Sequence, residues 1–474
     1  MHILFSRKTT IGFTLLVGLL LSLTLSGVTP LAVHATANTA TIRLSTVTGP
    51  PTTKVTVKGT GFGSSETVIA TFDINTVLGT TTTDSMGNFS LGITIPASAL
   101  PGKHSIQATG QSSGLTASHT FLANTNWQQF GYDPAQSRTN PYENVITSTN
   151  VSNLTLDWSY PTVNGITSSP AMVNGVVYIG AYATMWAFNA KTGRELWNYR
   201  TNNSISSPAV VNNVVYIGSA GTVYALNAKT GANLWIYTKG TGWFSSPTVV
   251  NGVVYVGSTD GNVYTLNAKT GANLWIYNTE GEIYTSSLPA VANGVVYVGA
   301  GFSVFALKAG TGAKLWSFNT GGTIGSSPAV VNGVVYIGGG EAKVYAINAK
   351  TGIPVWIDYS GCNDAGFSAP AVANGMVYID DACGTMYAFN VKTGTIVWSF
   401  NAGEISDSSP AVANGVVYFG SMYHIIYGLD ASTGAMLWSY TTGGYIQSSP
   451  AVANGVVYVG SNDDYIYAFH LPGM

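Results

Sequence analysis

The phrase SSP, or a variant of it, recurs at Ser168, Ser206, Ser245, Ser286, Ser326, Ser368, Ser408 and Ser448, at spacings of 38 to 42 residues. Self-similarity at such a period constrains the fold before any single segment is read. Each copy contains VNGVVYVG or a close relative, then a second aromatic stretch such as TVYALN. A turn like NAKTGAN follows, and then a Trp with two or three more strand residues, which makes four strands per repeat. GVVYIG is a continuous apolar run, the pattern of a strand covered on both faces. NAKTG offers Asn to bond its own backbone and Gly for the positive φ of a tight turn. A four-stranded unit that is apolar on both faces is not stable alone. Stacked radially, such sheets bury one another and leave few edges.

The turn-and-Trp units end at Trp197, Trp235, Trp275, Trp316, Trp356, Trp398 and Trp438, so the eighth copy lacks one. A further Trp, Trp158 in NLTLDWSY, precedes the first SSP. The expectation is an all-β fold: an eight-bladed β-propeller over residues 153–474, closed by pairing its N-terminal strand with the last repeat. The TGxxxW signature at a period near forty resembles the quinoprotein-type β-propeller repeat, named after pyrroloquinoline quinone dehydrogenases. The resemblance implies that Trp158 and the seven later Trp pack between adjacent blades. Their partners would be the backbone near Gly193, Gly231, Gly271, Gly312, Gly352, Gly394 and Gly434. It concerns the repeat and does not by itself imply a bound quinone. The repeat is also similar to that of the propeller subunit of the bacterial outer-membrane β-barrel assembly machinery, a lipid-anchored scaffold.

Ahead of the repeats, residues 39–124 read as six or seven short alternating strands separated by turn clusters such as DSMGN and ALPG, a β-sandwich of immunoglobulin type. TTTDSMGNFSLGITIP resembles bacterial immunoglobulin-like modules. Residues 125–152 are polar and aperiodic and read as an ordered lead-in linker, because Trp127, Phe130 and Tyr132 need something to pack on. Residues 1–37 read as a signal peptide: Arg7 and Lys8, an apolar run, and AVHATA for cleavage after Ala35 or Ala37. Retention of that run as a membrane anchor is the alternative. No Cys follows it, so a lipoprotein is not expected. The mature chain is placed outside the cytoplasm, periplasmic, extracellular or at the cell surface, and as a monomer.

Charged residues make up 8% of the chain and the formal net charge is −2, with no Lys/Arg cluster. Nucleic acid, bound chiefly by phosphate neutralisation, is therefore excluded as a partner. The Ser pairs begin the innermost strands, where small side chains fit, and His424 and His470 fall on opposite faces, so a Ser-His-Asp arrangement is not expected. The acids in STDGN, DDACG and SNDD read as solvated turn formers. No catalytic, cofactor-binding or metal-binding residue is assigned. Cys362 and Cys383 fall in neighbouring loops of one face and are expected to form a disulfide, given export.

Lys191, Lys229, Lys269, Lys350 and Lys392 ring the opposite face as solvated turn positions. Pyrroloquinoline quinone with calcium is the cofactor of the alternative, a quinone-dependent dehydrogenase. Against it stand the absence of adjacent Cys residues and of an Arg near the axis, since beyond the lead-in linker only Arg194 and Arg200 occur. A top face carrying Tyr182, Trp243, Phe244, Tyr284, Phe302, Tyr423 and Tyr445 suits a protein or carbohydrate partner. The leading expectation is a non-catalytic binding scaffold.

Overall fold

The computed structural model describes residues 39–359, 368–403 and 407–473. The signal segment and Cys362 lie outside the described residues. Residues 41–123 form a three-stranded and a five-stranded sheet. Alternating inward side chains such as Val55, Val57, Val68, Ala70, Ile106 and Phe121 fill one core between them. The carboxylate of Glu66 accepts the Ser113 hydroxyl at 2.7 Å and backbone N–H groups from Ser113, Gly63 and Ser112, which together hold its pKa below the usual carboxylate value.

The repeats fold into eight antiparallel sheets. In the first, Ala171–Val173, Val176–Ala181, Thr184–Asn189 and Glu195–Arg200 pair in chain order. One sheet is assembled from both ends of the chain: Thr155–Pro161 pairs antiparallel with Tyr465–His470, beside Val456–Gly460 and Ala451–Ala453. The NAKTG turns owe their shape to Asn: Asn189 Oδ1 accepts the N–H groups of Lys191 and Thr192, leaving Gly193 at a φ of +64°.

Adjacent sheets are joined by the Trp series. The Trp158 indole donates to the Ala190 carbonyl at 3.0 Å, and a Cβ on Gly193 would stand 2.7 Å from its ring. Trp197, Trp235, Trp275, Trp316, Trp356 and Trp398 repeat both contacts on Gly231, Gly271, Gly312, Gly352, Gly394 and Gly434. Each of these glycines has a positive φ, so two separate constraints exclude a side chain there. Four sheets add a Tyr: Tyr178 and Trp197 both donate to Ala228 O, using both lone pairs of one carbonyl. Trp438 departs from the pattern and donates to Leu154 O at 3.2 Å, because there the facing sheet is split between chain ends and no turn is present.

Residues 127–140 run around the inside of the repeats and touch the innermost strand of every sheet in turn. Trp127 exchanges two 2.8 Å backbone bonds with Met172. Val210 then donates to Gln128 O, Val291 to Pro134 O, Val330 to Ala135 O, Val372 to Ser137 O and Val412 to Arg138 O. The Gln129 side chain accepts from Val249, and that of Asn140 donates to Val452 O. Each inner strand is an edge with unpaired backbone groups, and this segment satisfies them. What the sequence presents as a lead-in linker is thus an internal plug. Its polarity, which hides any strand period, matches polar backbone facing it from eight directions.

Candidate functional site

The face bearing the second-to-third-strand hairpins and the connections between sheets is called the top here. Above the plug on this side lies a cavity of about 250 Å3, lined by Phe130, Ser169, Ser207, Ser246, Trp243, Asp407 and Gln447 among others. A second cleft of similar size below the plug is lined by Tyr132, Pro134, Tyr142 and Pro50.

The Ser pairs that surround the axis are structural. The first Ser of a pair ties the start of its strand to the end of the next: Ser168 Oγ accepts Gly180 N–H at 2.7 Å, and Ser206, Ser245, Ser408 and Ser448 do the same to Gly218, Gly257, Gly420 and Gly460. The second Ser stitches sheet to sheet. Ser169 N–H donates to Ser207 Oγ at 2.8 Å, Ser207 N–H to Ser246 Oγ at 3.0 Å, and Ser409 N–H to Ser449 Oγ at 2.9 Å. Ser449 N–H donates to Ser169 Oγ at 2.8 Å, joining the last repeat to the first. The hydroxyl protons of Ser169, Ser207 and Ser246 have no acceptor among the described residues, and each oxygen accepts one N–H and keeps one lone pair. Among the described residues none of these Ser has an imidazole partner: His470 lies 3.7 Å from Asp157 at an outer strand, and His424 packs edge-on against Tyr445.

Two expectations about charge are corrected. Arg138, in the segment read as a linker, is 1% exposed and lies within the ring of sheets. Its guanidinium sits 4.0 Å from the centroid of Phe130, and Nε and Nη2 have no partner among the described residues. Burial pulls its pKa down to about 9, opposed by the charge of Asp380. Asp380 and Asp381, read as solvated turn formers, are 3% and 2% exposed. Asp380 stands where seven other repeats have Gly or a Gly equivalent such as Gly180 and Gly420. Burial pushes its pKa well up, with Ser368 opposing. One oxygen of each acid is unmatched among the described residues, while Asp381 Oδ1 organises the hairpin by accepting from Cys383 and Thr385. Only the break in the repeat at DD hinted at this in the sequence.

Six of the seven aromatic residues assigned to the top face are exposed, from Tyr284 at 36% to Tyr182 at 58%. Phe244 is not: at 2% exposure it packs edge-on against Tyr264 in a core cluster, because its position in the strand points it between sheets. Tyr182, Phe302 and Tyr423 occupy hairpins, Tyr284 and Tyr445 occupy connections between sheets, and Trp243 ends the strand Asn233–Trp243, paired with Ala220. The five turn lysines are exposed on the opposite face.

A family model described as outer membrane protein assembly factor BamB matches residues 124–241, 204–317, 300–409 and 402–471. No curated protein matches the sequence. Solved structures share the fold. The BamB structure from Moraxella catarrhalis is 20% identical, with 68% of this chain and 98% of that chain covered and a TM-score of 0.58. A quinohemoprotein alcohol dehydrogenase from Comamonas testosteroni is 15% identical, with 74% and 81% covered and a TM-score of 0.62. A europium-containing methanol dehydrogenase is 15% identical, with 73% and 98% covered and a TM-score of 0.61. The fold they share with this chain is the β-propeller built from quinoprotein-type repeats.

Proposed function

We propose that this chain, which belongs to the outer membrane protein assembly factor BamB family, is an exported, non-catalytic binding scaffold. Its eight sheets act as the blades of one ring closed through Trp158, preceded by an immunoglobulin-like module. The exposed aromatics of the top face dock a partner protein. Export follows from residues 1–37, and the oxidising compartment lets Cys362 and Cys383 pair across neighbouring top loops. The protein works as a monomer.

The observation that carries this reading is the plug. Residues 127–140 occupy the axis and take up backbone groups of all eight inner strands, with the cavity of about 250 Å3 lying above Phe130 on the top side. The quinone alternative fares poorly against that cavity. Pyrroloquinoline quinone is a planar tricarboxylate and calls for cations. Among the described residues lining the cavity the one charged side chain is Asp407, an anion. Arg138 is turned onto Phe130 beneath the floor, and no group of three acids, His or Cys is placed to hold a metal among the described residues. The residues present do not fit that cofactor.

Capture experiments test the reading. The exported protein is immobilised and exposed to envelope proteins of its source. A partner retained by the wild type is lost on Tyr423→Ala with Tyr445→Ala and kept on Lys229→Ala with Lys269→Ala. A partner indifferent to the top-face pair and sensitive to the lysines would refute it.

A further inference from the structure

We propose that the cavity above Phe130 binds a single neutral sugar ring. The inference rests on the top face being the binding face and names a second ligand for it, inside the ring of exposed aromatics.

The size comes first. About 250 Å3 holds roughly eight waters at 30 Å3 each, and falls short of the roughly 300 Å3 at which pockets for drug-sized ligands begin. One six-membered ring with its hydroxyls suits that space. Asp407 disfavours an anion, and among the described residues no second carboxylate lines the cavity beside it to hold a metal cation. Ser169, Ser207 and Ser246 each retain a donor proton and one lone pair. A ligand must therefore bring acceptors to Ser169, Ser207 and Ser246 and at least one donor to Asp407.

The Asp407 carboxylate is held in place, since Oδ2 accepts from Gln447 Nε2 at 2.9 Å and Gln447 Oε1 accepts from Asn462 at 2.7 Å. Among the described residues its Oδ1 has no hydrogen-bond partner, and it would accept from a ligand hydroxyl. Phe130 at the floor and the 43% exposed Trp243 at the rim provide flat apolar surfaces for the C–H faces of a ring. Hydroxyls that donate and accept around an apolar face are the chemistry of a sugar.

Calorimetric titration of the full exported protein with D-glucose and with N-acetyl-D-glucosamine tests this. Saturable binding of at least one is expected with a Kd on the order of 1 mM. Trp243→Ala and Asp407→Ala should each weaken it at least about tenfold, or 1.4 kcal/mol. Phe302→Ala, outside the cavity, should leave it unchanged, with melting curves showing that all variants fold. Binding of neither sugar up to about 100 mM, or affinity that survives both cavity variants, overturns the proposal. Partner capture is read separately. A wild-type protein that captures a partner but binds neither sugar refutes only the sugar site, and one that binds sugar but captures no partner refutes only the scaffold.

Discussion

Replacing Trp158 by Ala should loosen the junction between the two ends of the chain. Trp158 is half-buried, sits opposite Ala468 in the strand pair that joins the chain ends, lies 6.1 Å from the Tyr458 ring, packs on Gly193 of the next sheet, and donates one 3.0 Å hydrogen bond to Ala190. Truncating a fully buried Trp costs about 3–5 kcal/mol, so a half-buried ring contributes about 2. The lost hydrogen bond adds about 1, for a total of about 3 kcal/mol. Unfolding entropy of about 2.1 cal/mol/K per residue over roughly 320 residues gives about 0.7 kcal/mol/K. The melting temperature should then fall by about 4 °C if the repeats unfold as one unit, measured by calorimetry or circular dichroism.

Trp356→Ala is the control. That residue is 9% exposed and makes the same indole bond, to Val391, from a strand that a turn joins to its own sheet. Trp356→Ala should lower the melting temperature somewhat more, without broadening the transition. Trp158→Ala should also broaden it, since the strand that carries Trp158 is held in its sheet by hydrogen bonds to Tyr465–His470 alone. A Trp158→Ala protein that melts within a degree of wild type, while the control is clearly lowered, would refute closure through this strand pair.

Gly271→Ala places a methyl 2.7 Å from the Trp235 ring at a φ of +72°, and should cost about 2 kcal/mol or more in urea unfolding. Thiol titration under denaturing, non-reducing conditions should find no free thiol, and Cys383→Ala should lower stability by about 3 kcal/mol; two reactive thiols would remove the disulfide. Asp380 has a folded-state pKa raised by burial, so the folded state holds the proton more tightly than the unfolded chain. Stability is therefore fullest below the unfolded carboxylate value and declines as pH rises from there through the folded value. Asp380→Asn should flatten that decline, and a pH profile of stability unchanged by the substitution would show that Asp380 does not titrate in this way.

The repeat frame was legible because its physics is local. VVYIG demands cover on both faces, NAKTG demands a turn with positive φ, and the small pairs at SSP mark where strands converge. The missing eighth Trp pointed to Trp158 because a period leaves a gap that can be seen. The plug was not legible for the opposite reason. Residues 127–140 bond to eight strands that lie from 45 residues away, as Trp127 does to Met172, to more than 300, as Asn140 does to Val452, so no short-range pattern records them. Arg138 was overlooked with them, although it is the one Arg inside the ring. Phe244 was misplaced by a single residue: Trp243 faces outward and its neighbour inward, and alternation along an irregular strand end is where sequence reading is weakest. The burial of Asp380 was signalled only by its replacing a repeated Gly.

The central claim is that this propeller binds partners and carries no quinone. Thermal melting of the exported protein with and without calcium plus pyrroloquinoline quinone tests it most directly. A cofactor present at about a hundred times its dissociation constant would stabilise the fold by about 2.7 kcal/mol. The account predicts no shift in the melting temperature. A calcium-dependent rise of several degrees would contradict it and make the cavity above Phe130 a redox site.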